Sequence, residues 1–166
     1  PTRERHGWAG DAQIFCPTAC MLFDYAAFGR KYERDLCDAQ RKNGCFTQIA
    51  PVGGVDSYMN AMDGSAGWSD AGVLIPWDVY AAYGDRKILE ENYDAMCRYA
   101  RYKIGTLGKW YPTATPTGIG LKHGKDISNY GQSYGEWAEP EDVKAFSISE
   151  FVSPHPEETT AYIVYL

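Results

Sequence analysis

The chain of 166 residues is 45% hydrophobic and 23% charged, the balance of a globular domain able to bury a core of its own. A net charge of −6 and a sequence pI near 5.0 argue against non-specific binding to nucleic acid or to an anionic membrane, and no apolar run approaches the roughly 18–20 residues that span a bilayer. Aromatic residues are abundant, at 13 Tyr, 5 Trp and 6 Phe, and both sugar-binding faces and dense helical cores use such rings.

In chain order, the first predicted helix covers Asp11 to Phe23, with Ile14, Phe15, Ala19, Leu22 and Phe23 as its apolar set; Pro17 either bends it or starts it. Asp24 is placed to cap a second helix on which Tyr25, Phe28, Tyr32, Leu36 and Ala39 recur at helical spacing, ended by Asn43-Gly44. Residues 45–67 read as irregular. Ser69 or Asp70 then starts a helix bearing Val73, Leu74, Trp77, Tyr80 and Ala81, which should stop at Gly84. Asp85 caps its successor, whose apolar face carries Ile88, Leu89, Tyr93, Met96, Cys97 and Ala100. So short a Gly-Asp junction makes these two helices antiparallel neighbours. Residues 105–153 form a long, glycine-rich connection, and a last helix should begin near Ser153-Pro154. Helical hairpins joined by long loops fit an α/α toroid or a bundle, and the pattern alone does not separate them.

Five cysteines, Cys16, Cys20, Cys37, Cys45 and Cys97, include no Cys-x-x-Cys pair. They read as buried free thiols of a reducing compartment, which favours a cytoplasmic location. Cys16 and Cys20 can share a helix face, but two thiols make a poor metal site without further ligands. His6, His123 and His155 are isolated, and nucleotide-binding, Ser-His-Asp, calcium-loop and zinc patterns are absent. No signal peptide is visible.

Chemistry concentrates in three blocks. The first is Arg3-Glu4-Arg5-His6-Gly7-Trp8-Ala9-Gly10-Asp11. Paired carboxylates are the acid/base tools of sugar-cleaving enzymes, and an indole offers a face to a sugar ring. An acid must hold its proton near neutral pH, which Arg3 and Arg5 would oppose if they pointed at Glu4. By chemistry alone, a surface salt-bridge cluster at a terminus fits this block better. The second block, Gly64-Ser65-Ala66-Gly67-Trp68-Ser69-Asp70-Ala71, reads locally as a turn and a helix cap. The third, Tyr134-Gly135-Glu136-Trp137, reads locally as a loop tryptophan on the core.

In this order the blocks resemble the bacterial α-L-rhamnosidases of glycoside hydrolase family 78. That family carries R-E-R-x-G-W-x-G-D, then G-S-A-G-W-x-D-A, then G-D-W; this chain departs by having Glu136 in place of the last aspartate. The similarity continues through Pro76-Trp77, Tyr83-Gly84-Asp85 and Leu89-Glu90 to Pro154-x-Pro156-Glu157 and Thr160-Ala161-Tyr162.

The resemblance implies an all-α fold, a partial (α/α)6 toroid of the six-hairpin glycosidases, with residues 1–166 as the N-terminal part of a catalytic domain incomplete at both ends. It implies inverting hydrolysis of terminal non-reducing α-L-rhamnosyl residues, with Glu4 as general acid. Trp8, Asp11, Trp68, Asp70 and Trp137 would bind the sugar, the indoles burying its C6 methyl group. The general base would lie beyond this chain. No cofactor and no metal are implied; the partner is a rhamnosylated glycoside, and self-association or completion by a missing segment is expected of the exposed apolar faces Phe28/Tyr32/Leu36 and Tyr93/Met96/Ala100. The site residues should converge on one concave face. Two alternatives stay open: another six-hairpin glycosidase acting on a different sugar, and a non-catalytic carbohydrate-binding fragment.

Overall fold

A computed structural model describes residues 5–54, 63–109, 124–128 and 156–166. Regular structure among these residues is helical: α1 (Ala9–Leu22), α2 (Ala26–Ala39), α3 (Ala71–Tyr83), α4 (Arg86–Ile104) and α5 (Pro156–Tyr165), with a short 3-10 turn at Gly124–Asp126. The one extended pairing among the described residues is an isolated bridge between Trp8 and Ile49. The architecture is that of a partial α/α toroid.

α3 is the centre. It packs against α1, α2 and α4; α2 also touches α4, and α5 leans on α4. Its sequence explains the position, because AGVLIPWDVYAAY is apolar on nearly every side, and such a helix is stable only when surrounded. Leu36, Phe46, Ile75, Val79, Ile88 and Tyr99 form the core around it, with the rings of Phe46 and Tyr99 5.1 Å apart. α3 ends as its sequence predicts, at Gly84 in the left-handed region (φ 68). Asp85 caps α4 by accepting from the Lys87 N–H at 3.1 Å. The same carboxylate takes a two-pronged ion pair from Arg30, 2.6 Å on each prong, so the α3–α4 junction is pinned to α2.

Elsewhere the structure corrects the expectations. Asp24 does not cap α2. The Tyr25 N–H donates instead to Tyr83 Oη at 3.0 Å, and that hydroxyl donates on to the Phe23 carbonyl at 3.1 Å. A tertiary contact from the end of α3 thus replaces a local cap. α1 and α2 are joined in sequence but pack chiefly on α3, so the first expected hairpin is two flanks of one central helix.

The buried faces also differ. α1 turns Gln13, Cys16 and Ala19 inward, while Ile14 (70% exposed), Leu22 (65%), Phe15 and Phe23 face out. α3 buries Ala71, Gly72, Ile75, Pro76 and Val79, leaving Trp77 exposed; α4 buries Ile88, Ala95, Tyr99 and Lys103, leaving Tyr93 exposed. On α1 the inward face thus carries no bulky apolar side chain, whereas α3 and α4 bury Ile75, Val79, Ile88 and Tyr99. Of the faces expected to be open, Phe28 and Tyr93 are exposed, Tyr32 and Leu36 are buried, and Met96 and Ala100 are half-buried. α5 begins at Pro156, two residues after the expected proline, and most of 105–153 lies outside the described residues.

Candidate functional site

The first block enters α1 as a short extended run. Ala50 donates its N–H to the Gly7 carbonyl at 2.9 Å, Ala9 donates to the Gln48 carbonyl at 2.8 Å, and Tyr32 Oη adds a second donor to Gly7 O at 2.8 Å. A Cβ on Gly7 would meet Ala50 O at 2.1 Å, so only glycine admits this pairing. Arg5, next to Glu4, holds φ 62, a left-handed conformation that disfavours a non-glycine residue by about 1–2 kcal/mol. Trp8 occupies the N-cap position of α1, edge-on to His6 with ring centroids 6.5 Å apart, and Asp11 stands exposed in the first turn.

The second block meets the first at Gly10. A Cβ there would lie 2.7 Å from Cδ2 and Cε2 of Trp68, so the indole of Trp68 rests directly on the glycine backbone between Trp8 and Asp11. Gln13, one turn further along α1, donates Nε2 to the Gly67 carbonyl at 2.8 Å. Gly67 itself has φ 74, which a side chain would strain. Ser69 Oγ accepts from the Gly64 N–H at 2.9 Å, and the Ser65 carbonyl accepts from the Ser69 N–H at 2.9 Å. The turn is closed on itself and bolted to α1.

Asp70 lies beneath this turn, fully buried. It occupies the N-cap position of α3 without capping it. Its Oδ2 accepts from the Gly67 N–H at 2.7 Å; its Oδ1 accepts from Tyr99 Oη at 2.7 Å and lies 3.7 Å from Lys103 Nζ. Burial pushes the carboxyl above the ordinary range, and Lys103, Tyr99 and the Gly67 N–H pull the other way. Burial likewise drives the Tyr99 phenol well up, with Asp70 adding to it.

Of the residues singled out from sequence, Trp68 lies on Gly10, which stands between Trp8 and Asp11 in the chain. Asp70 is near them but carries the turn from below, with both oxygens engaged by protein groups. Glu4 and Trp137 lie outside the described residues. Gln13, Tyr99 and Lys103 were not read from the sequence. The signal available for the last two was a one-turn spacing on α4; the bulkier apolar face beside it drew the reading away. This region presents the Trp68 indole on the Gly10 backbone and an exposed Asp11 one residue further along α1. Among the described residues no three His, Cys, Asp or Glu side chains gather as a metal site, and all five cysteines are free thiols.

A family model, the bacterial alpha-L-rhamnosidase 6 hairpin glycosidase domain, matches residues 1–165. An alpha-L-rhamnosidase of Streptomyces avermitilis is 37% identical over 134 residues, covering 81% of this chain and 11% of that protein. One of Formosa agariphila is 31% identical over 137 residues, covering 82% and 12%. Among solved structures, the Streptomyces avermitilis alpha-L-rhamnosidase complexed with L-rhamnose superposes with a TM-score of 0.57 at 42% identity, over 62% of this chain and 10% of that one. The alpha-L-rhamnosidase from Dictyoglumus thermophilum gives 0.53 at 37% identity, over 60% and 11%. The chain thus spans about a tenth of the length of these relatives.

Proposed function

The chain belongs to the family of bacterial α-L-rhamnosidase six-hairpin glycosidase domains, and from that premise we propose that it supplies the acid side and sugar platform of an enzyme that hydrolyses terminal α-L-rhamnosyl residues with inversion. The observation that carries this reading is the seat of Trp68 on Gly10, which joins two separate sequence blocks into one surface. Trp8 and Trp68 offer apolar faces to a 6-deoxy sugar, where methyl burial contributes roughly 25 cal/mol per Å². Asp11 accepts from ring hydroxyls. Asp70 acts from beneath by holding the turn.

Glu4 donates its proton to the glycosidic oxygen as the bond to the anomeric carbon breaks. Water attacks that carbon from the opposite face, its proton going to a second carboxylate about 6.5–9.5 Å from the first. That base comes from another part of the enzyme, so the 166-residue chain alone should not turn over substrate.

The test is hydrolysis of an aryl α-L-rhamnoside by a rhamnosidase-length protein carrying this segment, followed by proton NMR at the anomeric position. β-L-Rhamnose should appear first and mutarotate afterwards. Glu4→Gln should slow poor leaving groups by about 10²-fold or more and leave L-rhamnose affinity nearly unchanged. α-L-Rhamnose as first product, turnover indifferent to Glu4→Gln, or clear turnover by the isolated chain would each contradict the reading.

A further inference from the structure

We propose that Tyr99 and Lys103 are positioning residues for the sugar platform, fixing the height and tilt of the Trp68 indole through Asp70. The inference rests on the reading of Trp68 as that platform. Neither residue belongs to the three sequence blocks. They sit one turn apart on α4, and both are buried, Tyr99 at 0% and Lys103 at 1% exposure. Both address the same atom, Asp70 Oδ1, at 2.7 and 3.7 Å. A carboxylate is planar, so holding Oδ1 also sets Oδ2, which grips the Gly67 N–H at 2.7 Å. Gln13 grips the Gly67 carbonyl from the α1 side at 2.8 Å.

These two bonds fall on successive peptide planes. The N–H belongs to the 66–67 peptide and the carbonyl to the 67–68 peptide. Together they fix φ and ψ of Gly67, and with them the Cα of Trp68. The indole then has one surface to lie on, the bare backbone at Gly10.

Stability does not demand such a cluster. A buried ion pair is seldom more stabilising than well-packed apolar groups of the same volume, and Lys103 Nζ has no hydrogen-bond partner among the described residues. What the cluster supplies is direction. Gln13 on α1, Asp70 at the start of α3, and through Asp70 the side chains of Tyr99 and Lys103 on α4 all bear on one glycine.

The experiment labels the chain with 5-fluorotryptophan, giving one ¹⁹F resonance for each of its five tryptophans; Trp68→Phe and Trp77→Phe assign two of them. Tyr99→Phe removes one hydroxyl and no volume. It should shift and broaden the Trp68 resonance and leave that of Trp77, exposed on α3, in place. Lys103→Met should do the same; if that variant does not fold, Asp70→Asn with Lys103→Met removes both charges and should still displace Trp68. An unmoved Trp68 resonance in Tyr99→Phe, or equal shifts at Trp68 and Trp77, overturns the proposal.

A kinetic arm uses the rhamnosidase-length protein. Tyr99→Phe should raise KM for an aryl α-L-rhamnoside about fivefold with kcat unchanged, because a platform holds the sugar alike in ground and transition states. A merely destabilising change would reduce the folded fraction and lower kcat with KM constant, which contradicts a positioning role. Absence of hydrolysis by the unsubstituted protein would refute the functional reading, and the ¹⁹F spectra would still decide the role of Tyr99 and Lys103.

Discussion

Asp70 and Asp85 occupy the same local position, the residue before a helix, at the two helices of one hairpin. Their work differs completely. Asp85 is partly exposed, caps its own helix, and pairs with Arg30 at the surface. Asp70 is buried, leaves its helix uncapped, and turns back to hold Gly67 while Tyr99 and Lys103 hold it. The first aspartate stabilises a junction between helices. The second sets the shape of a surface. Local sequence position therefore predicts that an aspartate begins a helix, and tertiary surroundings decide what it does there.

The contrast has measurable consequences. Asp70→Ala should be the larger loss, about 3–5 kcal/mol in urea unfolding, because it leaves the Lys103 ammonium buried without its counter-charge. Asp85→Ala should cost about 1–2 kcal/mol, the sum of a lost cap and a half-screened ion pair. Equal losses would erase the distinction. Salt sharpens it. Between about 0.05 and 1 M ionic strength the Asp85→Ala penalty should shrink and the Asp70→Ala penalty should stay, because screening reaches exposed pairs far more than buried ones.

pH separates a third carboxyl from both. Glu33 is buried on α2 with only Cys37 Sγ, 3.5 Å away, donating to it, and Oε2 has no partner among the described residues. Burial raises its pKa well above the unfolded value. Burial therefore favours its neutral form in the folded protein, and its contribution is fully present at acid pH. That contribution falls as pH rises past the unfolded pKa towards the folded one. Chemical denaturation of Glu33→Gln should show a stability–pH slope differing from the parent by up to about 1.4 kcal/mol per pH unit on the basic side of pH 4.5. Identical slopes would mean that Glu33 is ionised in the native state.

The smallest expected effect on stability is that of Gly10→Ala. Alanine favours a helix over glycine by about 1 kcal/mol, offset here by a Cβ 2.7 Å from the Trp68 ring. Near-neutral melting together with a displaced Trp68 ¹⁹F resonance is the predicted pair of results.

The sequence carried the Gly84–Asp85 junction clearly, because a left-handed glycine and a capping aspartate are local signals. Motif resemblance singled out Trp8, Asp11 and Trp68, and the structure lays Trp68 on the Gly10 backbone. The sequence did not carry the helix faces. Periodicity finds an apolar stripe, but α1 has large apolar residues on one side and small ones on another, and close helix packing selected Gln13, Cys16 and Ala19. Nor could it carry the setting of Asp70, whose hydrogen-bond partner Tyr99 lies 29 residues away. Glu33 was not singled out from the sequence; it is buried, with Cys37 donating to it and Cys37 also reaching Asn92 of α4.

The most direct measurement compares Trp68→Ala with Asp85→Ala in a rhamnosidase-length protein, as kcat/KM on an aryl α-L-rhamnoside per mole of folded enzyme. Truncating a sugar-facing indole should lower kcat/KM at least about tenfold, the equivalent of about 1.4 kcal/mol of lost contact. Asp85→Ala should leave it within about twofold, since that residue acts on stability alone and surface changes of this kind rarely reach a distant site. Equal kcat/KM values for the two variants, or a Trp68→Ala enzyme as efficient as its parent, would contradict the assignment of the Gly10–Trp68 surface as the sugar platform.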